Sequence, residues 1–192
     1  MSILRIFPGA NNKEARLNGL LKYIVASEDK KCWMGMSFSN HPHMIHGYGI
    51  PETATLDEIS DAFILPHIAY GYPGTRLCYH CLIDFNGLLS ASDAGFIAWE
   101  INKFLMPYSV QFLQGVHVTK ESGMVLWPHT HILINTIMLA GQNVGKKFRM
   151  EKPVLYSYKK HMNHVLRRYG LPTIPVYERR PDHGVTYTEN GF

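Results

Sequence analysis

The sequence predicts an α+β protein in which helices cover one face of a largely antiparallel sheet. Strand and helix patterns are interleaved along the chain. Two strands, at about 109–119 and 130–138, follow each other through a connection short enough for a hairpin. The 192 residues, 46% of them hydrophobic, are enough for one core of ordinary size. We therefore expect a single domain over 1–192, with an irregular basic tail from about residue 172.

The amino-terminal half is predicted to contain one strand, two helices and a long irregular section. Residues 2–7 predict a strand, and apolar residues at amphipathic spacing predict a helix over about 12–27. From about 32 to 75, scattered glycines and prolines favour irregular structure. Within that section, Thr55 precedes two acidic residues and predicts the start of a short helix over about 55–64.

The carboxyl-terminal half begins with a long strand, predicted over about 76–85. After an Asn-Gly turn, Ser92 and Asp93 are expected to cap a helix that reaches about residue 105. The two hairpin strands follow, and a last helix is predicted over about 152–169, before a glycine suited to a helix end. Because the helices are expected on one face of the sheet, the other face is expected to be open to a substrate.

Composition argues against a membrane or secreted protein. The sequence has no run of about 18 apolar residues, and its amino terminus lacks a signal-peptide pattern. We therefore expect a cytoplasmic protein with no membrane segment. Three cysteines, Cys32, Cys78 and Cys81, are an odd number that fits a reducing compartment. The last two are three residues apart on a predicted strand and so face opposite sides, which argues against a zinc or redox site.

Positive charge is concentrated in the carboxyl-terminal part. Residues 138–192 contain 10 Lys and Arg against 4 Asp and Glu, whereas residues 1–137 contain 9 against 11. Such a cluster either contacts the phosphates of a nucleic acid or forms a solvated helix face. The candidate phosphate contacts are Lys146, Lys147, Arg149, Lys159, Lys160, Arg167 and Arg168.

A histidine pair on the second hairpin strand predicts the chemistry. Strand alternation places His129, His131 and Asn135 on one face, and two imidazoles at this spacing can chelate a divalent metal. His117, near the end of the preceding strand, is the best candidate for a third ligand. A structural or solvent-facing role for the histidine pair is the alternative, and spacing alone does not decide between the two.

Six short motifs occur in a characteristic order along roughly residues 15–175. They are Tyr23-Ile24 followed by Lys30; Tyr70-Gly71 with Gly74-Thr75-Arg76-Leu77 and Tyr79-His80; His117-Val118-Thr119-Lys120-Glu121; Pro128-His129-Thr130-His131 with Asn135; Gly145-Lys146-Lys147-Phe148; and Tyr169-Gly170-Leu171. In this order they resemble the conjugative relaxases of the mobilisation-nuclease family. These are HUH endonucleases, here of the MOBP type, which nick plasmid or integrative-element DNA at an origin of transfer.

The resemblance implies an HUH-type sandwich fold with a metal site on its central strands, and it implies roles for individual residues. Tyr23 would be the nucleophile that forms a 5′-phosphotyrosine intermediate. His117, His129 and His131 would hold a divalent ion, with Mn²⁺ or Mg²⁺ expected. Asn135, His80, Asp84 and Glu121 are candidates for assisting residues, and Glu121 is also the substitute ligand if the hairpin register excludes His117.

The resemblance also implies the partners. The expected substrate is single-stranded or hairpin origin-of-transfer DNA, whose unpaired bases could stack on Trp33 and Tyr79. Accessory relaxosome proteins and a coupling protein are further expected partners, in a bacterial cytoplasm.

Two alternatives remain open from the sequence. A rolling-circle replication initiator or single-strand transposase would use a tyrosine downstream of the histidine pair, and Tyr156 with Lys160 supplies such a match. A non-catalytic DNA-binding relative is the second alternative. It is motivated by Thr119, which replaces a usual acidic residue, and by Ala26, which replaces a usual asparagine.

Overall fold

The computed structural model describes residues 2–7, 14–25, 45–51, 53–85, 89–117, 120–121, 124–125, 128–179 and 185–187. The predictions that involve Ala26, Cys32, Trp33, Thr119 and the turn after residue 85 lie outside these ranges. The side chain of Glu121 also lies outside them, although its backbone is described.

Nine strands and four α-helices occur in the described residues. The strands are β1 (Ile3–Phe7), β2 (Ile45–Tyr48), β3 (Cys78–Asp84), β4 (Val110–His117), β5 (Lys120–Glu121), β6 (Met124–Val125), β7 (His129–Met138), β8 (Tyr177–Arg179) and β9 (Val185–Tyr187). The helices are α1 (Glu14–Val25), α2 (Leu56–Ala69), α3 (Ala91–Asn102) and α4 (Lys152–Arg168). Within the described part of the chain, no helix is long and apolar enough to cross a membrane.

Five strands form one sheet in the order β1-β3-β7-β4-β2, and every neighbouring pair is antiparallel. β4 and β7 form the predicted hairpin, and the short β5 and β6 pair with each other between them. The largely antiparallel sheet and the α+β class are therefore confirmed. All residues of β4 and most of β7 are buried, so the centre of the sheet is also the centre of the molecule.

Helices cover both faces of this sheet, which corrects the expectation of one free face. The helices α3 and α4 pack on one face against residues such as Ile132 and Ile134. The helices α1 and α2 pack on the other face, where Leu133 contributes to a second buried cluster. The uninterrupted Ile-Leu-Ile run in β7 explains this arrangement, because apolar residues on both faces of a strand need cover on both sides.

Several boundaries differ from the prediction because tertiary packing outweighs local signals. The helix α2 continues to Ala69 through Pro66, and the side chains that it buries on one face include Ile59, Phe63 and His67. The predicted start at Thr55 is confirmed, and Thr55 forms a capping box with Glu58. The edge strand β2 was not predicted, because its Ile-His-Gly-Tyr sequence is too short to show a period.

The tail is more ordered than predicted. Ile174 is buried, and its backbone N–H and C=O both bond the side chain of Asn163 on α4 at 2.8 Å. Beyond it, β8 and β9 pair with each other as a hairpin. The tail therefore contains two short strands where an irregular chain is predicted from about residue 172, whereas residues 172–176 have no regular secondary structure.

The cap of α3 gives a direct test of the structure. Its N-cap is Ser90, whose hydroxyl accepts a bond from the Asp93 backbone N–H at 3.0 Å, so the predicted cap at Ser92 is wrong. We expect Ser90→Ala to lower the free energy of unfolding by about 1 kcal/mol, because the Asp93 N–H loses its partner. Ser92 lies within the first turn of α3, so Ser92→Ala is the matched control. Urea unfolding of both variants checks this, and an equal cost for the two would contradict the assignment.

Candidate metal centre

The three predicted histidine ligands lie on neighbouring strands at one end of the sheet. In the register of the sheet, His129 of β7 is paired with His117 of β4 on one side and Asp84 of β3 on the other. One step further along the face, His131 lies between Gly115 and Leu82. Since directly paired residues on adjacent strands point to the same face, the hairpin register brings the histidines together.

The histidine cluster, His117 with His129 and His131, is compact. Its ligand atoms all lie within 4.8 Å of one another, and its ring centroids are 4.4 to 5.6 Å apart. His117 is fully buried, His131 is nearly so, and His129 is partly exposed. The cluster is therefore open to solvent on the side of His129.

Two of the histidines are oriented by partners behind them. His117 Nε2 lies 3.4 Å from the Ile24 carbonyl oxygen at the end of α1. His131 Nδ1 lies 2.8 Å from Nε2 of His80 on the neighbouring strand β3. His117 must donate to the Ile24 carbonyl, which leaves the lone pair of its Nδ1 available to a metal. His131 Nε2 has the same role when His131 Nδ1 donates to His80.

The arrangement fits a divalent metal ion. A metal–imidazole distance of about 2.1 Å allows ligand nitrogens of one ion to be at most about 4.2 Å apart. The ligand atoms lie within 4.8 Å of one another, so the rings must move inward to share one ion. Because neutral imidazoles add no negative charge, three of them would leave the full charge of the ion available to a bound anion.

Tyr23 lies beside this cluster. It is in the last turn of α1, its hydroxyl is 3.5 Å from His131 Nε2, and its ring meets those of His117 and His131 edge-on at 4.9 and 5.0 Å. The side chain is partly exposed. Two separate stretches of sequence, more than 100 residues apart, therefore meet at one point.

His80 lies behind His131 rather than in the open part of the site. Its ring stacks on Phe7 with centroids 4.5 Å apart, and burial lowers its pKa to about 4. A neutral His80 can accept the Nδ1 proton of His131, which fixes the tautomer of that histidine.

Asn135 is the centre of a separate buried network below the histidine cluster. Its amide donates to Gln111 Oε1 at 2.9 Å and to the Phe63 carbonyl at 3.3 Å. Its oxygen accepts from the Ile137 N–H and lies 3.2 Å from His67 Nε2. These contacts join α2, β4 and β7, so they support a structural role for Asn135. Sequence reasoning missed His67 and Gln111, although their positions on buried helix and strand faces were a usable signal.

The predicted phosphate contacts fall into two groups away from the histidines. Lys146, Lys147 and Arg149 lie in the segment that follows β7, at the end of the sheet opposite His129. The other predicted contacts, Lys159, Lys160, Arg167 and Arg168, are on α4. Arg168 also bonds Glu100 at 2.8 Å.

Tyr156 is on α4, which packs on the sheet face opposite the histidine cluster. Tyr158 fixes this placement, because it is fully buried in the cluster of α3 and α4 and donates to Asn102 Oδ1 at 2.7 Å. The five-stranded sheet therefore separates Tyr156 from the histidines.

The fold is similar to those of several solved structures. Two crystal structures of the MobM relaxase domain (MOBV; Mob_Pre), Mn-bound and in complex with plasmid pMV158 oriT DNA, align with TM-scores of 0.51. The first is 14% identical over 95% of this chain and 92% of the MobM chain, and the second is 13% identical over 90% and 88%. A structure described as the molecular basis of vancomycin resistance transfer in Staphylococcus aureus aligns with a TM-score of 0.55 and 15% identity, over 88% of this chain and 94% of the other.

These similarities show the fold, which is that of a mobilisation relaxase domain, as the sequence resemblance implied. No family model matches the sequence, and no curated protein shows significant similarity to it.

The network around Asn135 predicts a pH dependence of stability. Burial, opposed by bonds to Asn135 and Leu77, lowers the pKa of His67 below its ordinary 6.5. The unfolded chain therefore takes up a proton more readily, and stability is expected to fall as pH decreases below 6.5. His67→Gln should flatten this slope in unfolding experiments. Gln111→Ala, which weakens the same network without removing the histidine, should lower stability and keep the slope, and an unchanged slope in His67→Gln would contradict the assignment.

Proposed function

We propose that this protein is a DNA relaxase that nicks one strand of origin-of-transfer DNA and so mobilises a plasmid or integrative element. The observation that carries the proposal is the position of the Tyr23 hydroxyl, 3.5 Å from His131 Nε2 at the edge of the histidine cluster. A tyrosine nucleophile beside three imidazoles is a suitable arrangement for metal-assisted transesterification. The relaxase fold supports this reaction class.

His117, His129 and His131 would hold the ion, and Mn²⁺ or Mg²⁺ is the expected cofactor. A bound divalent ion would polarise the scissile phosphate and stabilise negative charge in the transition state. The contacts of His117 with Ile24 and of His131 with His80 would hold both histidines in the tautomers that bind a metal, which would prepare two ligands before binding. Asp84, which is paired with His129 across the sheet, would assist that third ligand.

The chemical step of the proposal is an exchange of one phosphodiester for another. Tyr23 Oη attacks phosphorus and loses its proton, and the bond from phosphorus to the 3′ oxygen of the preceding nucleotide breaks. The products are a 5′-phosphotyrosine and a strand that ends in a free 3′-hydroxyl once that oxygen takes up a proton. Because the new ester conserves the bond energy, attack by a 3′-hydroxyl can reseal the strand, whereas attack by water could not be reversed.

DNA would be held by the basic segment after β7 and by α4. Lys147 Nζ lies 4.8 Å from the centre of the Tyr72 ring, and the Arg76 guanidinium lies 4.9 Å from that of Tyr79. Such pairs combine a charge for phosphate with a flat surface for bases. We propose single-stranded or hairpin origin DNA as the partner, with accessory relaxosome proteins and a coupling protein, in the cytoplasm of a bacterium.

The alternatives differ in what they require of the structure. A replication initiator or transposase that used Tyr156 would need that hydroxyl beside the histidine cluster, but α4 is on the other side of the sheet. A non-catalytic DNA-binding relative would not need Tyr23 next to His131. The position of Tyr23 next to His131 therefore favours Tyr23 as nucleophile over both alternatives.

A covalent-adduct experiment tests the nucleophile. Protein is incubated with Mn²⁺ or Mg²⁺ and labelled single-stranded origin oligonucleotides, and the products are separated on a denaturing gel. We expect a protein–DNA adduct with the wild-type protein and with Tyr156→Phe, and none with Tyr23→Phe, because phenylalanine cannot form the phosphodiester. If the adduct is lost only in Tyr156→Phe, the protein would instead be assigned to the replication initiators or transposases. Tight binding of origin DNA without an adduct would favour the non-catalytic relative.

Salt dependence tests the phosphate contacts. If Lys146 and Lys147 each neutralise one phosphate, their replacement by alanine should each reduce the slope of log affinity against log salt by about 1. Lys103→Ala is the matched control, because Lys103 pairs with Glu100 on the far helix α3. Fluorescence anisotropy over a series of salt concentrations measures the slopes. Equal slopes for all variants and the wild type would show that these lysines do not contact phosphates.

A further inference from the structure

Gly115 lies where the end of α1 comes close to the sheet. A Cβ atom built on Gly115 would lie 2.6 Å from the Ile24 carbonyl oxygen and 2.7 Å from Ile24 Cγ2. Real Cβ atoms do not come so near to a backbone oxygen. Because the obstacle includes backbone, a change of rotamer alone cannot make room for a side chain at this position.

The need for glycine here comes from space and not from backbone conformation. The positive φ angles in the described residues occur elsewhere, at positions such as Gly49 and Gly145, and Gly115 is an ordinary strand residue in β4. In a strand interior glycine is usually a disadvantage, since it has no side chain to pack. Its presence between the histidine positions therefore marks a place where another backbone must come close.

The backbone that comes close is the last turn of α1, which places two adjacent residues on the histidine cluster. The Ile24 carbonyl oxygen meets His117 Nε2 at 3.4 Å, and the Tyr23 hydroxyl meets His131 Nε2 at 3.5 Å. Gly115 is paired directly with His131 in the sheet and is two residues before His117 on the same face. Its missing side chain thus leaves the gap that the helix end fills.

We propose that Gly115 is a positioning residue that sets the distance between the nucleophile and the metal ligands. This inference rests on the proposed function for its catalytic consequence and on the contacts of α1 for its structural one. A side chain at position 115 would lift the end of α1 from the sheet. The histidines, which belong to β4 and β7, would keep their mutual positions, and Tyr23 would move away from them.

The catalytic arm compares Gly115→Ala with Gly19→Ala. Gly19 is an exposed position on the same helix where an added Cβ meets nothing within 4 Å. At saturating Mn²⁺ and origin DNA, we expect the rate of adduct formation to fall about 10- to 100-fold in Gly115→Ala, with DNA affinity changed less than about threefold. Gly19→Ala should react like the wild type. Circular dichroism and thermal unfolding confirm that both variants are folded at the assay temperature.

The structural arm needs neither metal nor DNA. A fluorotyrosine is incorporated at position 23 alone, and its fluorine NMR signal is recorded in the metal-free protein. Since the Tyr23 ring lies within 5.0 Å of the His117 and His131 rings, a displaced helix end is expected to shift the signal in Gly115→Ala and not in Gly19→Ala.

The two arms separate failure of this inference from failure of the proposed function. If the wild-type protein forms no adduct, the proposed function fails, and the fluorine signal still decides whether Gly115 positions Tyr23. An unchanged signal in Gly115→Ala would overturn the inference. A shifted signal with an unchanged rate of adduct formation would also overturn it, because the distance would then not limit the reaction.

Discussion

The pairing register between β4 and β7 is the constraint on which the histidine cluster depends. It sets His117 opposite His129 and Gly115 opposite His131. Side chains alternate between faces, so a shift of one residue would turn His117 to the opposite face and put Val116 opposite His129. The register is held by the apolar residues further along both strands, since Leu113 pairs with Leu133 in the cluster beneath the histidines. Packing of the apolar residues in these strands therefore determines which side chains meet in the histidine cluster.

The helices on the two faces of the sheet decide which tyrosine lies beside the histidine cluster. The helix α1 contributes Leu17, Leu21 and Ile24 to the cluster on the histidine face, and this burial holds Tyr23 beside the site. The helix α4 is held on the opposite face by residues such as Tyr158, whose hydroxyl is bonded to Asn102 and whose pKa is raised by burial. A tyrosine on that helix is separated from the histidines by a complete layer of strands.

Two of the polar networks in the described residues lie on the histidine face of the sheet. The upper network consists of the histidine cluster with His80, Ile24 and Tyr23, and it is open to solvent at His129. The lower network joins Asn135 to His67 and Gln111, where buried polar groups would be costly without partners. The lower network connects α2 to the central strands that carry the histidines.

The sequence by itself determined the α+β class, the antiparallel hairpin and the side of β7 that carries His129 and His131, because these follow from periods of two and 3.6 residues along the chain. The order of the motifs also predicted the relaxase fold, and it singled out Tyr23, which lies beside His131 in the structure. The tertiary structure alone decided that both faces are covered, that Asn135 and His67 form a network, and that Gly115 admits the end of α1. These features depend on contacts between residues far apart in the chain, and local periodicity contains no information about which distant backbone comes close.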